Sequence, residues 1–150
     1  MEWMLLPYRR YFDFSGRSRR KEYWMFTLLQ VIIGVILTAL IFMDGGFRLD
    51  AFGQPDFSSG FGPLFWIGAG LGTIWALGTI IPSIAVTVRR LHDRNLTGWI
   101  YLGIVVLQFV PVVDILASIG LLVLMVLPGT VGANKYGLDP KDPAQAEVFN

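Results

Sequence analysis

Charged side chains that could take part in chemistry are concentrated in one short stretch between two uncharged runs. This arginine cluster reads Arg89-Arg90-Leu91-His92-Asp93-Arg94 and contains the only histidine of the chain. No charged residue occurs over residues 57–88 or over residues 95–113. A dense charged stretch between apolar runs predicts a loop or a helix end at a membrane surface.

Three interpretations of the arginine cluster stay open at this point. It could be a topology anchor, whose arginines reach lipid phosphates and hold the preceding span in register. It could be an anion site, in which Arg89, Arg90 and Arg94 bind a phosphate or carboxylate and Asp93 orients one of them. It could also carry acid–base chemistry at His92 with help from Asp93, although sequence neighbours on a helix do not face each other.

Other chemistry has little support in the sequence. The chain has no cysteine, and it contains no Ser-His-Asp, HExxH or phosphate-loop pattern. We therefore expect no catalytic residue that a motif identifies, no metal site and no cofactor. The basic run from Arg17 to Lys21 precedes an apolar stretch, which explains it as a membrane flank, so we expect no nucleic-acid binding.

Composition places the chain in a membrane. Hydrophobic residues make up 54% of its 150 residues and charged residues only 15%, whereas a soluble domain has roughly 25% charged residues. The first uncharged run, residues 23–43, has the length that crosses a bilayer and exceeds the apolar part of a signal peptide. We interpret it as an uncleaved anchor.

We predict an all-α integral membrane protein, a small bundle of about four helical segments with an interfacial N-terminal segment. Two of the segments are full spans, and the other two form a short helix pair. The segments of this single membrane domain are a basic aromatic interfacial segment (1–22), span 1 (23–43), an external loop (44–63), span 2 (64–88), a cytoplasmic Arg-rich loop (89–98), a short helix pair or one kinked span (99–127) and a looped tail (128–150).

The third apolar stretch, residues 99–127, is the least certain part of this topology. A single helix of that length would measure about 43 Å, well beyond a hydrocarbon core of about 30 Å. Pro111 disfavours helix at Val110, and Asp114 suits the N-cap of a new helix from Ile115. We predict two short helices, which return the tail to the side from which they start. Asp114 could alternatively be an intramembrane carboxylate with a function.

Charge asymmetry orients the protein. Six basic residues precede the first span, whereas the loop over residues 44–63 contains one basic residue and three acids. The positive-inside rule then places the N-terminus and the arginine cluster of this multi-pass membrane protein in the cytoplasm, with the loop outside.

Small and polar residues recur at four-residue spacing within both spans. The stripe in the first span consists of Gln30, Gly34 and Thr38, and the stripe in the second of Gly68, Gly72 and Ala76. Such stripes are typical of close helix–helix contacts. The second stripe could meet the first span, a second copy of the chain in a homo-oligomer, or a partner membrane protein.

Three motifs together resemble one known family. They are Gly16-Arg17-Ser18-Arg19-Arg20-Lys21-Glu22-Tyr23-Trp24, then Arg89-Arg90-Leu91-His92-Asp93 with Gly98-Trp99, then Gly132-Ala133-Asn134-Lys135-Tyr136-Gly137-Leu138-Asp139-Pro140. In this order they resemble the domain of unknown function 805 (DUF805) family. The resemblance implies a small bacterial cytoplasmic-membrane protein and supplies no activity. It marks as residues to test Arg17, Arg19, Arg20, Glu22, Trp24, Arg89, Arg90, His92, Asp93, Asn134, Tyr136 and Gly137.

We expect a non-enzymatic module whose cytoplasmic basic face binds anionic lipid headgroups or a partner protein. The candidate binding residues are Arg17, Arg19, Arg20, Arg89, Arg90, His92, Asp93, Arg94, Asn134 and Tyr136. One alternative is a small membrane enzyme or transporter that uses His92 or Asp114 to handle protons. Another is a purely structural role, in which the motifs hold loops to each other.

With all three motifs at one membrane face, complementary pairing between them becomes possible. We expect Glu22, Asp93 and Asp139 to pair with the arginines. Asn134 and Tyr136 would then supply hydrogen bonds.

Overall fold

The structure, a computed structural model, describes residues 2–43, 52–54 and 60–142. Over those residues the secondary structure is all helical, as predicted. The helices are α1 (Glu2–Arg9), α2 (Arg20–Met43), α3 (Pro63–Asp93), α4 (Trp99–Leu107) and α5 (Val113–Val126). Most of the predicted external loop and residues 143–150 of the predicted tail lie outside the described residues.

Helices α2 and α3 are long and apolar enough to cross a membrane. Their 24 and 31 residues correspond to lengths of about 36 Å and 46 Å. A hydrocarbon core measures about 30 Å, so α3 exceeds it by about 16 Å. Each helix contains its predicted span and extends beyond it, and the extension of α3 carries Arg89 and Arg90.

The predicted Arg-rich loop over residues 89–98 is wrong for its first part, because α3 continues to Asp93. The chain leaves the helix only at Asn95, whose φ of 59° is in the left-handed region that asparagine tolerates at helix ends. Between Arg89 and Arg94 the sequence has no proline or glycine that would end the helix earlier. The charged side chains of residues 89–93 find partners within the protein, so their charges do not force the chain into a solvated loop.

The prediction of two short helices for residues 99–127 is confirmed. Helices α4 and α5 pack against each other, and their 9 and 14 residues correspond to about 13 Å and 21 Å. Val112, with a φ of 72°, breaks the helical path between them. Asp114 is the second residue of α5 rather than its N-cap, and its Oδ1 accepts a hydrogen bond from the Ile115 backbone N–H at 2.7 Å.

The chain divides into two compact units, one of residues 28–80 and one of residues 1–27 with 81–150. In the first, Trp75 Nε1 donates to Gln30 Oε1 at 2.9 Å, so the predicted helix contact of Gln30 is confirmed. A Cβ on Gly68 would lie 3.0 Å from the Ile41 side chain. Gly68 therefore serves the contact with α2. A contact of the remaining stripe with another chain stays a prediction.

The second unit contains all three sequence motifs, and we call it the motif unit. Its buried apolar residues include Phe26, Ala85, Val86, Leu91 and Met125. Charged residues are buried among them, which is uncommon unless each charge has a partner. The candidate site lies in this unit.

Candidate functional site

Five charged side chains form the interior of the motif unit. The exposed fractions are 0% for Arg89 and Arg90, 2% for Glu22 and Asp93, and 6% for Arg17. An unpaired buried charge would cost several kcal/mol, and about 3–5 kcal/mol is typical when one partner of a buried pair is lost. The geometry of the partners therefore decides what these residues can do.

Asp93 is the centre of the first ion-pair group. Its Oδ1 accepts a hydrogen bond from Arg17 Nε at 3.0 Å and lies 2.9 Å from Arg17 Nη2. Its Oδ2 accepts a hydrogen bond from Arg90 Nη1. Arg17 also donates to the backbone carbonyl oxygens of Gly132 and Thr130, each at 2.6 Å. Two arginines thus share one carboxylate, and one of them, Arg17, holds the tail loop.

The C-terminus of α5 ends on arginines from the two long helices. Arg90 donates to the carbonyl oxygens of Leu127 and Met125, and Arg20 donates to that of Val126 at 3.1 Å. The last carbonyls of a helix lack intrahelical donors and carry partial negative charge, so cations stabilise them. These contacts hold the end of α5 beside the arginine cluster. This position agrees with the prediction that the two short helices return the chain to the side from which they start.

Arg89 and Glu22 form the second buried pair, with Nη2 and Oε1 3.0 Å apart. Arg89 also donates to the carbonyl oxygens of Arg10, at 3.3 Å, and Asp13. In return, the backbone N–H of Ser18 donates to the Arg89 carbonyl oxygen at 3.1 Å. This one arginine therefore connects α3 to the start of α2 and to the segment after α1.

Asp13 shapes the segment that Arg89 contacts. Its carboxylate accepts hydrogen bonds from the Ser15 hydroxyl at 2.6 Å and from Arg10 Nη2 at 2.7 Å. Partial burial by itself would raise the pKa of Asp13, but these hydrogen bonds outweigh it and lower the pKa to about 2. The carboxylate is ionised at neutral pH and holds the turn closed.

The tail loop docks on the C-terminal end of α3. The Asp93 carbonyl oxygen accepts hydrogen bonds from the Thr130 backbone N–H at 2.8 Å and from its hydroxyl at 3.0 Å. Asn134 Nδ2 donates to the His92 carbonyl oxygen at 2.9 Å, and Asn134 Oδ1 accepts from the Tyr136 N–H at 2.9 Å. The third motif thus caps the helix that carries the second motif.

Asp139 closes the tail loop on itself. Its two carboxylate oxygens accept hydrogen bonds from the backbone N–H groups of Gly132 and Lys141, each at 3.0 Å. The hydrogen bond from Lys141 lowers the pKa of Asp139, so the carboxylate stays ionised. It lies 4.0 Å from Arg17 Nη2. The expected pairing of Glu22, Asp93 and Asp139 with arginines is confirmed.

His92 has a different environment from its charged neighbours. Its Nδ1 lies 3.2 Å from the Gly16 carbonyl oxygen, and its ring stacks on Tyr136 with centroids 3.8 Å apart and planes 6° apart. Both carboxylate oxygens of Asp93 bind arginines instead. The interpretation in which Asp93 assists acid–base chemistry at His92 is therefore wrong.

The ten sequence-predicted site residues fall into three groups. Arg17, Arg89, Arg90 and Asp93 are buried and directed at protein partners, while His92, Asn134 and Tyr136 join the tail loop to α3. In the third group, Arg19 and Arg20 keep donors for an external anion. Arg94 is half-buried, and its Nε and Nη1 are enclosed by the protein without a hydrogen-bond partner among the described residues.

Arg19, Arg20 and Lys21 form what we call the basic rim. Arg19 and Lys21 lie 5.7 Å and 5.5 Å from the centre of the Trp3 ring. Arg20 and Lys21 line a depression of about 380 Å³ with Trp24, Met25 and Val126. Arg20 and Arg94 both lie close enough to Arg90 to repel its charge.

Sequence reasoning missed the groups that receive the arginines, because most are backbone carbonyls. It also missed Gly129, where an added Cβ would lie 1.9 Å from Asp93 Oδ2. The only signal was the turn-forming sequence Pro128-Gly129-Thr130, which predicts a shaped loop but not its partner. Within the described residues, no group of three or more His, Cys, Asp or Glu side chains is placed to hold a metal ion.

Comparison with known proteins gives one family. A model of the DUF805 family, described as a protein of unknown function, matches residues 11–138. Inner membrane protein YhaI of Escherichia coli (strain K12) is 37% identical over 142 residues, covering 94% of this chain and 97% of that protein. Inner membrane protein YhaH of the same strain is 35% identical over 144 residues, covering 94% and 98%. No solved structure matches the chain.

Proposed function

Since the chain belongs to the DUF805 family of proteins of unknown function, we propose that it is a non-enzymatic membrane module whose basic rim binds anionic lipid headgroups. Its relatives are inner membrane proteins, and two of its helices are long and apolar enough to span a bilayer. Anionic lipid headgroups are the proposed ligands, and the cations of the basic rim, which have no carboxylate partner among the described residues, are the proposed binding groups.

The observation that carries this proposal is the difference between two sets of cationic side chains. Arg17, Arg89 and Arg90 are at most 6% exposed and bind carboxylates or carbonyls of the protein. Arg20 and Lys21 are exposed at the start of α2, and neither has a carboxylate partner among the described residues. A lipid phosphate would meet the second set without breaking any internal ion pair.

Aromatic residues support a position of the basic rim at the membrane surface. Trp3 lies beneath Arg19 and Lys21, and Trp24 lines the depression beside Arg20. Tryptophan is enriched at the level of lipid headgroups, and each nearby Lys or Arg adds about 1 kcal/mol of attraction to an anionic leaflet. The buried ion pairs then have a positioning role, because they fix the start of α2 and the end of α5.

In this proposal the motif unit faces the cytoplasm. The basic residues before α2 and those at the end of α3 favour that side by the positive-inside rule. The N-terminus and the tail loop then share the side on which anionic lipids attract basic segments.

The test removes the charge of the basic rim and compares two lipids that differ mainly in charge. Neither phosphatidylethanol, which is anionic, nor phosphatidylcholine, which is zwitterionic, carries a hydrogen-bond donor in its headgroup. Binding to the purified full chain is measured by native mass spectrometry from detergent. We expect the wild type to prefer phosphatidylethanol about tenfold, and the triple variant Arg19→Gln/Arg20→Gln/Lys21→Gln to prefer it less than about threefold.

The matched control is Arg9→Gln/Lys141→Gln, which removes two exposed cations outside the basic rim. It should keep the preference of the wild type. Equal preference in the wild type and the triple variant would contradict the proposal, and so would loss of the preference in the control.

A further inference from the structure

An apolar groove of about 760 Å³ lies within the motif unit, between α3 and α4 and beside the tail loop. Its volume is within the range of about 300–1,000 Å³ that is usual for small-molecule sites. The lining residues are Phe14, Ile84, Val88, His92, Thr97, Gly98, Trp99, Tyr101, Leu102, Val105 and Tyr136. None of the basic-rim residues is among them, so the groove is a separate feature.

The walls of the groove suit a hydrocarbon chain. Ile84 and Val88 of α3 line it together with Leu102 and Val105 of α4. Both helices are apolar at this level, and α3 carries its wall residues within the predicted span. An acyl chain in the groove would contact these apolar side chains along its length instead of other lipids.

One end of the groove presents polar atoms. Because Nδ1 of His92 faces the Gly16 carbonyl oxygen at 3.2 Å, Nδ1 carries the proton in the neutral ring and Nε2 is a hydrogen-bond acceptor. Among the described residues no group donates to that Nε2. The Tyr101 side chain also lines the groove and brings a hydroxyl that can donate.

A cation lies beside the groove, against its lining residue Tyr136, without lining the groove itself. Lys135 Nζ lies 4.9 Å from the centre of the Tyr136 ring, which itself stacks on His92. No carboxylate among the described residues pairs with Lys135. The groove therefore combines apolar walls with an acceptor that has no donor among the described residues, and a positive charge lies beside it.

We propose that this groove binds one molecule of an anionic phospholipid whose headgroup carries free hydroxyls, the chemistry of phosphatidylglycerol. An acyl chain occupies the apolar walls, a headgroup hydroxyl donates to Nε2 of His92, and the phosphate lies near Lys135. Charge complementarity selects an anionic lipid, and the unpaired acceptor selects a hydroxylated one. This inference does not rest on the basic rim, which would bind any anionic headgroup.

The first test compares two lipids of equal charge on the unmodified protein. Phosphatidylglycerol has headgroup hydroxyls, whereas phosphatidylethanol has none. One additional hydrogen bond contributes about 1–1.5 kcal/mol, so native mass spectrometry should show about tenfold tighter binding of phosphatidylglycerol. His92→Phe keeps an aromatic ring against Tyr136 and lacks Nε2, and it should bind the two lipids equally. Equal binding by the wild type would overturn the proposal.

The second test fills the groove and uses a neighbouring residue as its control. Val105 lines the groove, whereas Val106 is 59% exposed and points elsewhere on the same helix. Val105→Trp should weaken phosphatidylglycerol binding at least tenfold, and Val106→Trp should leave it unchanged. Wild-type binding by Val105→Trp would overturn the proposal.

The two lipid sites fail in distinguishable ways. Loss of the basic rim lowers the affinity for both anionic lipids, but phosphatidylglycerol still binds about tenfold more tightly than phosphatidylethanol. Loss of the groove makes these two lipids bind equally and leaves the preference for phosphatidylethanol over phosphatidylcholine.

Discussion

Replacing Asp93 with asparagine should unfold most of the motif unit. The carboxylate is 2% exposed and accepts hydrogen bonds from both Arg17 and Arg90. Asparagine has the same shape but no charge, and its amide group replaces one acceptor oxygen by a donor. Two buried guanidinium groups would then lack a counter-charge, and we expect a loss of about 3–5 kcal/mol in the free energy of unfolding.

The measurement is an unfolding titration of the purified chain in mixed detergents, read alongside the amount of protein recovered from membranes. Asp114→Asn is the matched control, because among the described residues its side chain makes one hydrogen bond, to the adjacent Ile115 N–H, which an amide oxygen can accept. We expect a change below about 0.5 kcal/mol for the control. Wild-type stability of Asp93→Asn would show that the ion pairs do not hold the unit together.

Replacing Gly129 with alanine should produce the second-largest loss. The new Cβ would lie 1.9 Å from Oδ2 and 2.5 Å from Cγ of Asp93. The carboxylate cannot move away from the new Cβ, because both of its oxygens bind arginines. The loop cannot move away without losing the hydrogen bonds of Thr130 to the Asp93 carbonyl. Overpacking in a dense interior costs about 1–3 kcal/mol, and we expect the upper end of that range.

Gly120→Ala is the control for this substitution. Gly120 lies within α5, and a Cβ there would meet no atom within 4 Å. Because alanine favours helix over glycine by up to about 1 kcal/mol, this variant should be as stable as the wild type or slightly more stable. If the two alanine variants unfold at the same denaturant concentration, the close packing of the tail loop on Asp93 is incorrect.

Much of the fold could be predicted from the sequence because its signals are strong. Uncharged runs of 20 or more residues give the long helices, and Pro111 with Asp114 gives the break between the short ones. The pairing of Glu22 and Asp93 with arginines followed from a single assumption, that all three motifs lie on one face. Both carboxylates are in motifs that carry several arginines, so few other partners were available.

The division of the arginines into buried and available ones could not be predicted. Arg19 and Arg17 are two residues apart and look alike in the sequence, yet only Arg17 reaches Asp93 and the carbonyls of the tail loop. Backbone carbonyls give no residue-specific signal, so a composition-based interpretation treats every arginine as free. The end of α3 was misplaced for a related reason, since partners far along the chain stabilise its charged last turns.

The three motifs belong to one compact unit, and the proposed function requires that this unit lies on one side of the membrane. The chain has no cysteine, so single-cysteine variants can be labelled without background. Arg9 before α2, Lys135 in the tail loop and Gln54 between the spans are all exposed. A membrane-impermeant maleimide reports the side of each thiol in intact cells and in permeabilised cells.

We expect Gln54→Cys to be labelled in intact cells, and Arg9→Cys and Lys135→Cys to be labelled only after permeabilisation. That result would place the N-terminal segment and the tail loop on the same side of the membrane, as the contacts of Arg17 with Thr130 and Gly132 require, and would identify that side as the cytoplasm. Labelling of Lys135→Cys but not Arg9→Cys in intact cells would separate the third motif from the arginines by a bilayer and contradict the account.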